Sequence, residues 1–206
     1  MVVTLDKLKA KYDLQVRGIL QIGAHYGGEY PCFVDCGVQH MIFFEPVKDN
    51  FNHLLSTIDG DDRAVAYNIA LGNTKTRMRM YVETHNKGMS CSLLAPGTHL
   101  RSYPRIRFNQ REWVDVEMLD SIAYDHTKFN MIVIDVQGYE LEVFKGATEA
   151  LKHIDYVYSE VNVDEVYKGC ARVEQLDEFL KPYGFIRIMT DMCARTWGDA
   201  LYIKYA

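Results

Sequence analysis

The chain of 206 residues has the length of one ordinary domain, and its 48% hydrophobic and 25% charged residues are typical of a globular protein with its own core. The formal net charge of -5 disfavours nucleic acid as a partner, because phosphate binding usually shows as a basic surface. No apolar run is long enough to span a bilayer, and Met1-Val2-Val3 leads into charge rather than into a signal-peptide core. We therefore expect a cytoplasmic protein with a single domain over residues 1–206, which could also be part of a longer chain.

The cysteines indicate the redox environment of the protein, and the arginines indicate a candidate binding segment. The five cysteines lack CxxC or zinc-type spacing, so we expect reduced thiols. The densest basic stretch consists of Arg101, Arg105, Arg107 and Arg111. Two interpretations stay open for this stretch: a site for a charged glycan or a nucleotide-sugar phosphate, and a solvated loop.

Apolar β-rich segments alternate with helical periodicity, which predicts an α/β fold with a mostly parallel sheet and crossover helices. The predicted helices and strands, in chain order, are Leu5–Tyr12 (helix), Ile19–Gly23 (strand), Glu29–Cys36 (helix), Met41–Glu45 (strand), Lys48–Thr57 (helix), Val65–Ala70 (strand), Met131–Val136 (strand), Tyr139–Leu151 (helix), Tyr156–Val161 (strand), Val173–Tyr183 (helix), Phe185–Thr190 (strand) and Ala200–Lys204 (strand). The last two strands would form an antiparallel hairpin around a Trp197-Gly198-Asp199 turn.

The segment over residues 77–116 interrupts this alternation. It holds two short strand-like pieces, Arg77–Val82 and Trp113–Glu117, around a loop rich in Ser, Pro, Gly and Arg. Long insertions between core strands commonly shape a substrate pocket. We expect this insertion to shape the acceptor pocket; the alternative is a disordered surface loop.

The first chemical motif is a buried strand that runs into a glycine-rich turn, with Gly23, Gly27 and Gly28, and then into a helix. Glycines let the backbone approach a ligand closely, and a helix N-terminus offers unpaired N–H donors. The spacing is GxxxGG and differs from the GxGxxG of dinucleotide-binding folds. The second motif, Glu45-Pro46, ends the next strand about 22 residues later, close to where a fingerprint carboxylate takes ribose hydroxyls.

The third motif places Asp135 at the end of a central strand, where open α/β sheets hold ligands. Asp135 could be a general base, a metal ligand, an orienting acceptor or the N-cap of the next helix. Glu160 ends the following strand and should lie beside Asp135, and a divalent metal held by the two is a further alternative. His25 in the glycine turn is another candidate base.

Together these motifs resemble the FkbM-type methyltransferases, a branch of the class I S-adenosylmethionine-dependent enzymes. The matching segments are Gln21-Ile22-Gly23-Ala24-His25-Tyr26-Gly27, Phe44-Glu45-Pro46, Ser90-Cys91-Ser92-Leu93, Ile134 to Glu140, Phe144-Lys145-Gly146-Ala147 and Ser159-Glu160-Val161. The family pattern departs here at Gln21, which replaces an acidic residue, and at Gln137, which replaces a Glu. The resemblance implies a Rossmann-like class I methyltransferase fold, with a mostly parallel seven-stranded sheet, helices on both faces and an antiparallel C-terminal hairpin.

The resemblance also implies a cofactor site for S-adenosylmethionine. The turn would hold the methionine end, Glu45 the ribose, residues near Asn68 and Ala70 the adenine, and Ser90 and Ser92 would lie near cofactor or acceptor. The full set of expected cofactor contacts is Gly23, Ala24, His25, Tyr26, Gly27, Glu45, Pro46, Asn68, Ala70, Ser92 and Asp135. The candidate catalytic residues are Asp135, Glu160 and His25.

Relatives of this kind are similar to enzymes that methylate sugar hydroxyls, and some stand beside glycosyltransferase domains. The sequence therefore predicts O-methylation of a deoxyhexose such as rhamnose or fucose, although a fold and a cofactor do not specify the acceptor. Three alternatives stay open: an NAD-dependent oxidoreductase, a non-catalytic cofactor-binding module that supports a glycosyltransferase, and an N- or small-molecule methyltransferase. Several aromatic residues could stack on a sugar, although most are expected in the core or in turns. They are Tyr26, Tyr103, Trp113, Tyr139, Tyr167 and Trp197.

Overall fold

The computed structural model describes residues 3–205. Met1, Val2 and Ala206 lie outside the described residues. The signal-peptide argument rests on Met1-Val2-Val3, so most of that segment is outside them as well. The strands are β1 (Gly18–Ile22), β2 (His40–Phe44), β3 (Ala64–Tyr67), β4 (Ala70–Leu71), β5 (Thr76–Val82), β6 (Gln110–Glu117), β7 (Met131–Ile134), β8 (Tyr156–Asn162), β9 (Phe185–Met192) and β10 (Trp197–Lys204). The α-helices are α1 (Leu5–Tyr12), α2 (Tyr30–Asp35), α3 (Lys48–Thr57), α4 (His99–Ser102), α5 (Glu140–Lys145), α6 (Ala150–His153) and α7 (Val173–Leu180).

The main sheet has seven strands in the order β3-β2-β1-β7-β8-β10-β9. The first five are parallel, and β10 is antiparallel to both β8 and β9. Every residue of β1 and β7 is buried, as expected for strands covered on both faces. The predicted sheet with its antiparallel C-terminal hairpin is therefore confirmed.

Two apolar layers cover the two faces of this sheet. On one face, Leu8 of α1, Phe33 of α2 and Leu54 of α3 share a buried cluster with the β1 residue Ile19. On the other face, α5, α6 and α7 contribute to a second cluster that includes Phe144, Leu151, Leu176 and the alternating β1 residues Leu20 and Ile22. The side-chain period of two along β1 divides its residues between the two layers.

The predicted insertion folds into a second sheet of three strands in the order β4-β6-β5. Strands β5 and β6 form a long antiparallel pair, and β4 joins β6 in parallel through Ala70 and Val116. The two predicted strand pieces of the insertion are thus present and paired. The segment between β5 and β6 carries α4 and an isolated bridge from Tyr81 to Ser92.

Two predicted elements are wrong because the backbone is interrupted inside them. The helix predicted over Tyr139–Leu151 is two helices, α5 and α6. Gly146 packs against the backbone of Gly72, where a Cβ would lie 1.9 Å from the carbonyl oxygen. The Asp120 carboxylate accepts from the backbone N–H of Ala150 at 2.9 Å and so begins α6 as a separate helix.

The strand predicted over Val65–Ala70 is also divided, between β3 in the main sheet and β4 in the second sheet. The turn predicted at Trp197-Gly198-Asp199 belongs to β10, where Trp197 pairs with Asn162 of β8. The connection between β9 and β10 lies at residues 193–196. Within residues 3–205, no helix has both the length and the apolar character needed to cross a membrane.

Gly23 is the position where the fold depends most on a missing side chain. Its φ is 79°, and an added Cβ would lie 1.9 Å from the carbonyl oxygen of Asp135. We expect Gly23→Ala to lower the free energy of unfolding in urea by about 3 kcal/mol.

Gly60 provides the matched control for this substitution. It has a φ of 76°, but an added Cβ would meet nothing within 4 Å. Gly60→Ala should therefore cost only the left-handed strain, about 1 kcal/mol. Equal losses for the two variants would contradict the close contact between the Gly23 turn and Asp135.

Candidate functional site

A cavity of about 210 Å³ lies at the carboxyl ends of β1, β2 and β7. Strand β1 is between β2 and β7, so the cavity occupies the topological switch point where open α/β sheets bind ligands. The lining residues are Gln21, Ile22, Gly23, His25, Gly28, Glu29, Phe44, Glu45, Pro46, Asn50, Ile69, Ala70, Leu71, Met80, Gly88, Met89, Cys91, Leu93, Val133, Asp135, Val136, Gln137 and Tyr139.

The glycine turn after β1 forms the floor of the cavity. Gly23 and His25 line it, and His25 adopts a left-handed φ of 51°. Its ring stacks on Tyr26, and Nε2 lies 2.7 Å from the carbonyl oxygen of Lys87. Three further residues of the turn were predicted to contact the cofactor but do not line the cavity: Ala24, Tyr26 and Gly27. In the structure they support the turn.

Glu45 follows β2, and its buried carboxylate lines the cavity. Its Oε2 accepts the backbone N–H of His25 at 2.8 Å, and its Oε1 accepts the backbone N–H of Val47 at 2.9 Å. Burial outweighs these hydrogen bonds and raises the pKa of Glu45 to about 7. Oε1 also accepts from Asn50 Nδ2 at a long 3.4 Å. Oε2 therefore has a lone pair free for a ligand hydroxyl, and a second hydroxyl could take the place of the weak Asn50 donor on Oε1.

Some residues predicted to contact the adenine line the cavity, and others only support the backbone around it. Ala70 and Pro46 line the cavity together with Ile69, which lies in the segment expected to border the adenine. Asn68 instead donates through Nδ2 to the carbonyl oxygens of Glu45 and Pro46, at 2.9 and 3.0 Å, and so holds the exit from β2. Ser92 is fully buried and donates its hydroxyl to the carbonyl oxygen of Gln137 at 2.7 Å.

Asp135 and Glu160 lie on either side of Gln137. The Gln137 Nε2 donates to Asp135 Oδ1 and to Glu160 Oε2, both at 2.7 Å. Asp135 lines the cavity, whereas Glu160 is 3% exposed and does not. Burial and the negative charge of Asp135 raise the pKa of Glu160 well above its usual range. Because Glu160 does not reach the cavity surface, its placement argues against its predicted role as a base in contact with the acceptor.

Tyr167 and Glu140 stabilise the loop that carries Asp135. The Tyr167 hydroxyl donates to Gln137 Oε1 at 2.6 Å and is fully buried. Glu140 Oε1 accepts the backbone N–H groups of Val136 and Gly138, both at 3.1 Å. Asp135 is therefore not the helix N-cap considered from sequence, since α5 begins after Tyr139 without a side-chain cap.

The geometry bears on the metal alternative as well. Among residues 3–205, no three His, Cys, Asp or Glu side chains come together as a metal site. The amide of Gln137 occupies the position between Asp135 and Glu160 and donates to both carboxyl groups. A cation between these carboxyl groups would have to displace that donor.

The lining residues fit S-adenosylmethionine. Gln21 Oε1 is buried without a hydrogen-bond partner, while its Nε2 donates to Glu29 at 2.9 Å. That free acceptor suits an ammonium group, the Glu45 carboxylate suits a pair of hydroxyls, and the apolar residues Ile69 and Leu71 suit a base. Gln21 thus supplies an acceptor where the family pattern has an acidic residue.

Sequence reasoning missed part of the wall opposite the sheet. Met80 of β5 and the following residues Gly88, Met89, Cys91 and Leu93 line the cavity from the insertion. The Ser-Cys-Ser-Leu resemblance pointed to this segment, but to its serines, whereas Cys91 and Leu93 face the cavity. Asn50 of α3 was also missed, since nothing in its sequence context marks it.

Comparison with known proteins identifies a family and a curated relative. The family described as the Methyltransferase FkbM domain matches residues 21–187. The 2-O-methyltransferase NoeI of Sinorhizobium fredii is 25% identical over 176 residues, which cover 82% of this chain and 72% of NoeI.

Solved structures share the fold at low identity. Magnesium protoporphyrin IX methyltransferase of Synechocystis, solved with bound S-adenosylmethionine, is 7% identical, with a TM-score of 0.55 over 97% of this chain and 76% of that one. The N-methyltransferase NodS of Bradyrhizobium japonicum is 9% identical, with a TM-score of 0.56 over 93% of this chain and 87% of that one. These likenesses confirm the Rossmann-like methyltransferase fold.

The family match decides between two of the classes of function that the sequence left open, a methyltransferase and an NAD-dependent oxidoreductase. It extends over the glycine turn, Glu45, Asp135 and Glu160, and it is a match to methyltransferases rather than to NAD-dependent oxidoreductases. The predicted enzyme class, an S-adenosylmethionine-dependent O-methyltransferase, is confirmed. The chain belongs to the FkbM methyltransferase family.

Proposed function

We propose that this enzyme methylates a hydroxyl group of a sugar, with a deoxyhexose such as rhamnose or fucose as the favoured acceptor. The observation that carries the proposal is a carboxylate, Asp135, that lines the cofactor cavity and is fixed by Gln137 at 2.7 Å. A sugar hydroxyl is a weak nucleophile while it keeps its proton, so a base within reach accelerates the transfer. The resemblance to a named 2-O-methyltransferase supports an oxygen acceptor.

The residues of this chain divide the work of the reaction. S-adenosylmethionine, when bound, supplies a methyl group on a positively charged sulfur. Gln21 would hold the ammonium group at the methionine end of the cofactor, Glu45 would hold its ribose, and the glycine turn gives the close approach. Asp135 would accept the hydroxyl proton, and Met89 and Leu93 would help to keep water out of the cavity.

The acceptor site lies beside Asp135 in this account. Gln137 and Tyr139 also line that part of the cavity, and Met89 is exposed at 58%. An apolar side chain next to polar groups suits a deoxyhexose, whose methyl group is apolar and whose ring hydroxyls are polar. The free state of all five cysteines agrees with a reaction in the reducing cytoplasm. The predicted glycosyltransferase partner stays a prediction.

An acceptor screen tests the proposal. The purified enzyme is incubated with S-adenosylmethionine and with rhamnosides, fucosides, hexosides or amines, and the release of S-adenosylhomocysteine is measured. We expect turnover with a deoxyhexoside above all others. Turnover with an amine alone would overturn the oxygen acceptor, and turnover with neutral hexosides alone would overturn the deoxyhexose.

Cofactor affinity should depend on pH through Glu45. Burial raises the pKa of this carboxyl to about 7 in the free protein, and the ionised form is the better acceptor for two hydroxyls. Below pH 7 the ionised fraction falls, so the Kd for S-adenosylmethionine should rise about tenfold per pH unit and should be constant above pH 8.

The same carboxyl affects stability with the opposite sign. Its pKa is raised in the folded protein above the value of an unfolded chain, so its contribution to the free energy of unfolding is lost as pH rises toward 7.

Isothermal titration calorimetry at several pH values measures the affinity for S-adenosylmethionine. A Kd that improves as the pH falls would contradict the role of the carboxylate.

Tyr167 should act as a positioning residue for Asp135. Tyr167→Phe leaves Gln137 Oε1 without its donor, so the amide that orients Asp135 is no longer fixed. We expect kcat to fall about tenfold while the KM for S-adenosylmethionine changes less than twofold.

A tyrosine away from the cavity gives the control. Tyr30→Phe removes a comparable hydrogen bond, to Asp61 at 2.8 Å, and should leave kcat unchanged. An equal loss of kcat in both variants, or a loss in the affinity for the cofactor alone, would contradict positioning by Tyr167.

A further inference from the structure

The β5–β6 pair has an outer face, directed away from the cavity, that is rich in arginine and aromatic residues. Alternation along the two strands separates this face from the buried inner residues Met80, Val114 and Val116. We call it the arginine face, and it consists of Arg77, Arg79, Tyr81, Arg111, Trp113 and Asp115.

Cross-strand pairs order the side chains of the arginine face. Arg79 lies opposite Trp113, and Arg111 lies opposite Tyr81. The guanidinium carbon of Arg111 is 3.5 Å from the centre of the Tyr81 ring, and those of Arg77 and Arg79 are each 5.9 Å from the centre of the Trp113 ring. Stacking uses the flat face of a guanidinium and leaves its in-plane N–H donors available to an anion.

The arginine face is positively charged, whereas the chain as a whole is negatively charged. Three arginines share the face with one aspartate, Asp115, in a protein whose formal net charge is -5. Asp115 lies 3.5 Å from Arg77 and cancels one of the three positive charges, so the face keeps a formal charge of +2. Trp113 is 56% exposed, so part of its ring is accessible to a ligand.

The arginine face is connected to the active site by the chain itself. The Tyr81–Arg111 pair lies at the end of the two strands from which residues 83–109 depart. That segment carries Gly88 and Met89, which line the cavity. The insertion thus contributes both to the wall of the cavity and to the arginine face.

We propose that the arginine face binds an anionic stretch of the glycan whose sugar is methylated in the cavity. The proposal rests on the proposed function, because it takes the acceptor to be an oligosaccharide that extends out of the cavity. Guanidinium groups would bind carboxylate or sulfate groups of the glycan, and Trp113 would pack against the apolar face of a sugar ring. A single-stranded nucleic acid has the same charge and is the occupant that the test must distinguish.

Binding measurements at low salt test the arginine face. The probes are an oligogalacturonate, which carries a carboxylate on each sugar, a neutral malto-oligosaccharide of equal length, and an RNA oligonucleotide of equal length. We expect the oligogalacturonate to bind more tightly than the other two, and its affinity to fall as salt is added.

Two variants and a control locate the site. The double variant Arg79→Gln/Arg111→Gln should bind the oligogalacturonate about tenfold more weakly, and Trp113→Thr should also weaken it. Arg195→Gln, at an exposed arginine between β9 and β10, should leave the affinity unchanged. Titration with S-adenosylmethionine should give the same Kd in all variants, so a failure of the cofactor site is distinguished from a failure of this surface. Equal binding of the neutral and anionic glycans, tighter binding of RNA, or no effect of the double variant would overturn the proposal.

Discussion

Asp135→Asn will lower kcat for methyl transfer about 10²- to 10⁴-fold and leave the Kd for S-adenosylmethionine nearly unchanged. The asparagine keeps an oxygen for the Gln137 donor, which lies 2.7 Å from Asp135 Oδ1, so the loop should keep its geometry. What is lost is the negative charge that accepts the hydroxyl proton, and a general base contributes a factor of this size. Single-turnover kinetics and calorimetry measure the two quantities separately.

Glu160→Gln is the matched control for Asp135→Asn. The carboxyl group of Glu160 is buried and accepts from Gln137, and burial together with the charge of Asp135 raises its pKa. An amide can take its place and still accept from Gln137, so kcat should stay within about threefold. A large loss at Glu160 with little loss at Asp135 would contradict the assignment of the base. Full turnover in both variants would contradict a base at either carboxyl group and would direct attention to His25 as the candidate base.

Glu45→Gln will weaken S-adenosylmethionine binding about 100-fold. The ionised carboxylate, held by the backbone N–H groups of His25 and Val47, can accept two hydroxyls, whereas the amide offers one acceptor and one donor. Charge-assisted hydrogen bonds of this kind contribute about 1.5–3 kcal/mol each. The affinity for S-adenosylhomocysteine should fall equally, because the cavity would hold the same ribose in both compounds.

Glu83 provides a control with the same chemistry outside the cavity. It is 2% exposed and accepts the backbone N–H groups of His85 and Asn86, but it does not line the cavity. Glu83→Gln should therefore reproduce any cost to folding and leave the Kd unchanged. If both variants lost affinity equally, the effect of Glu45 would be structural and its contact with ribose would be contradicted.

The parts of the site that the sequence predicted are those determined by local chemistry. Gly23 at a strand end, Glu45 at the next strand end and Asp135 at a third all line one cavity. Parallel strands end at the same edge of a sheet, so residues that end neighbouring strands must meet there. The element types and the order of the parallel strands follow from the same pattern of buried runs.

The parts that the sequence did not predict depend on contacts between distant segments. The pairing of Ala70 with Val116 and the packing of Gly146 on Gly72 join residues far apart in the chain. Periodicity cannot report such contacts, so the strand over Val65–Ala70 and the helix over Tyr139–Leu151 were predicted as continuous. Tertiary contacts broke both elements.

Gln137 has a role in the structure that its sequence position did not reveal. From the sequence, the replacement of Glu by Gln put in doubt any role that needs a charge at this position. In the structure the amide nitrogen of Gln137 donates to Asp135 and Glu160, and its amide oxygen accepts from Tyr167. An ionised carboxylate has no hydrogen to donate to Asp135 or to Glu160. A bridge of this kind requires both a left-handed φ of 55° at Gln137 and the adjacent strand β8, neither of which sequence spacing contains.

The most direct test of the central claim is the position of a transferred methyl group. The enzyme is incubated with S-adenosylmethionine that carries a deuterated methyl group and with a fucose- or rhamnose-terminated oligosaccharide, and the product is analysed by tandem mass spectrometry. The account predicts the label on a ring oxygen of the deoxyhexose with wild-type enzyme, and a loss of at least about 100-fold in the rate of labelling with Asp135→Asn. Label on a nitrogen, or equal labelling by Asp135→Asn, would contradict it.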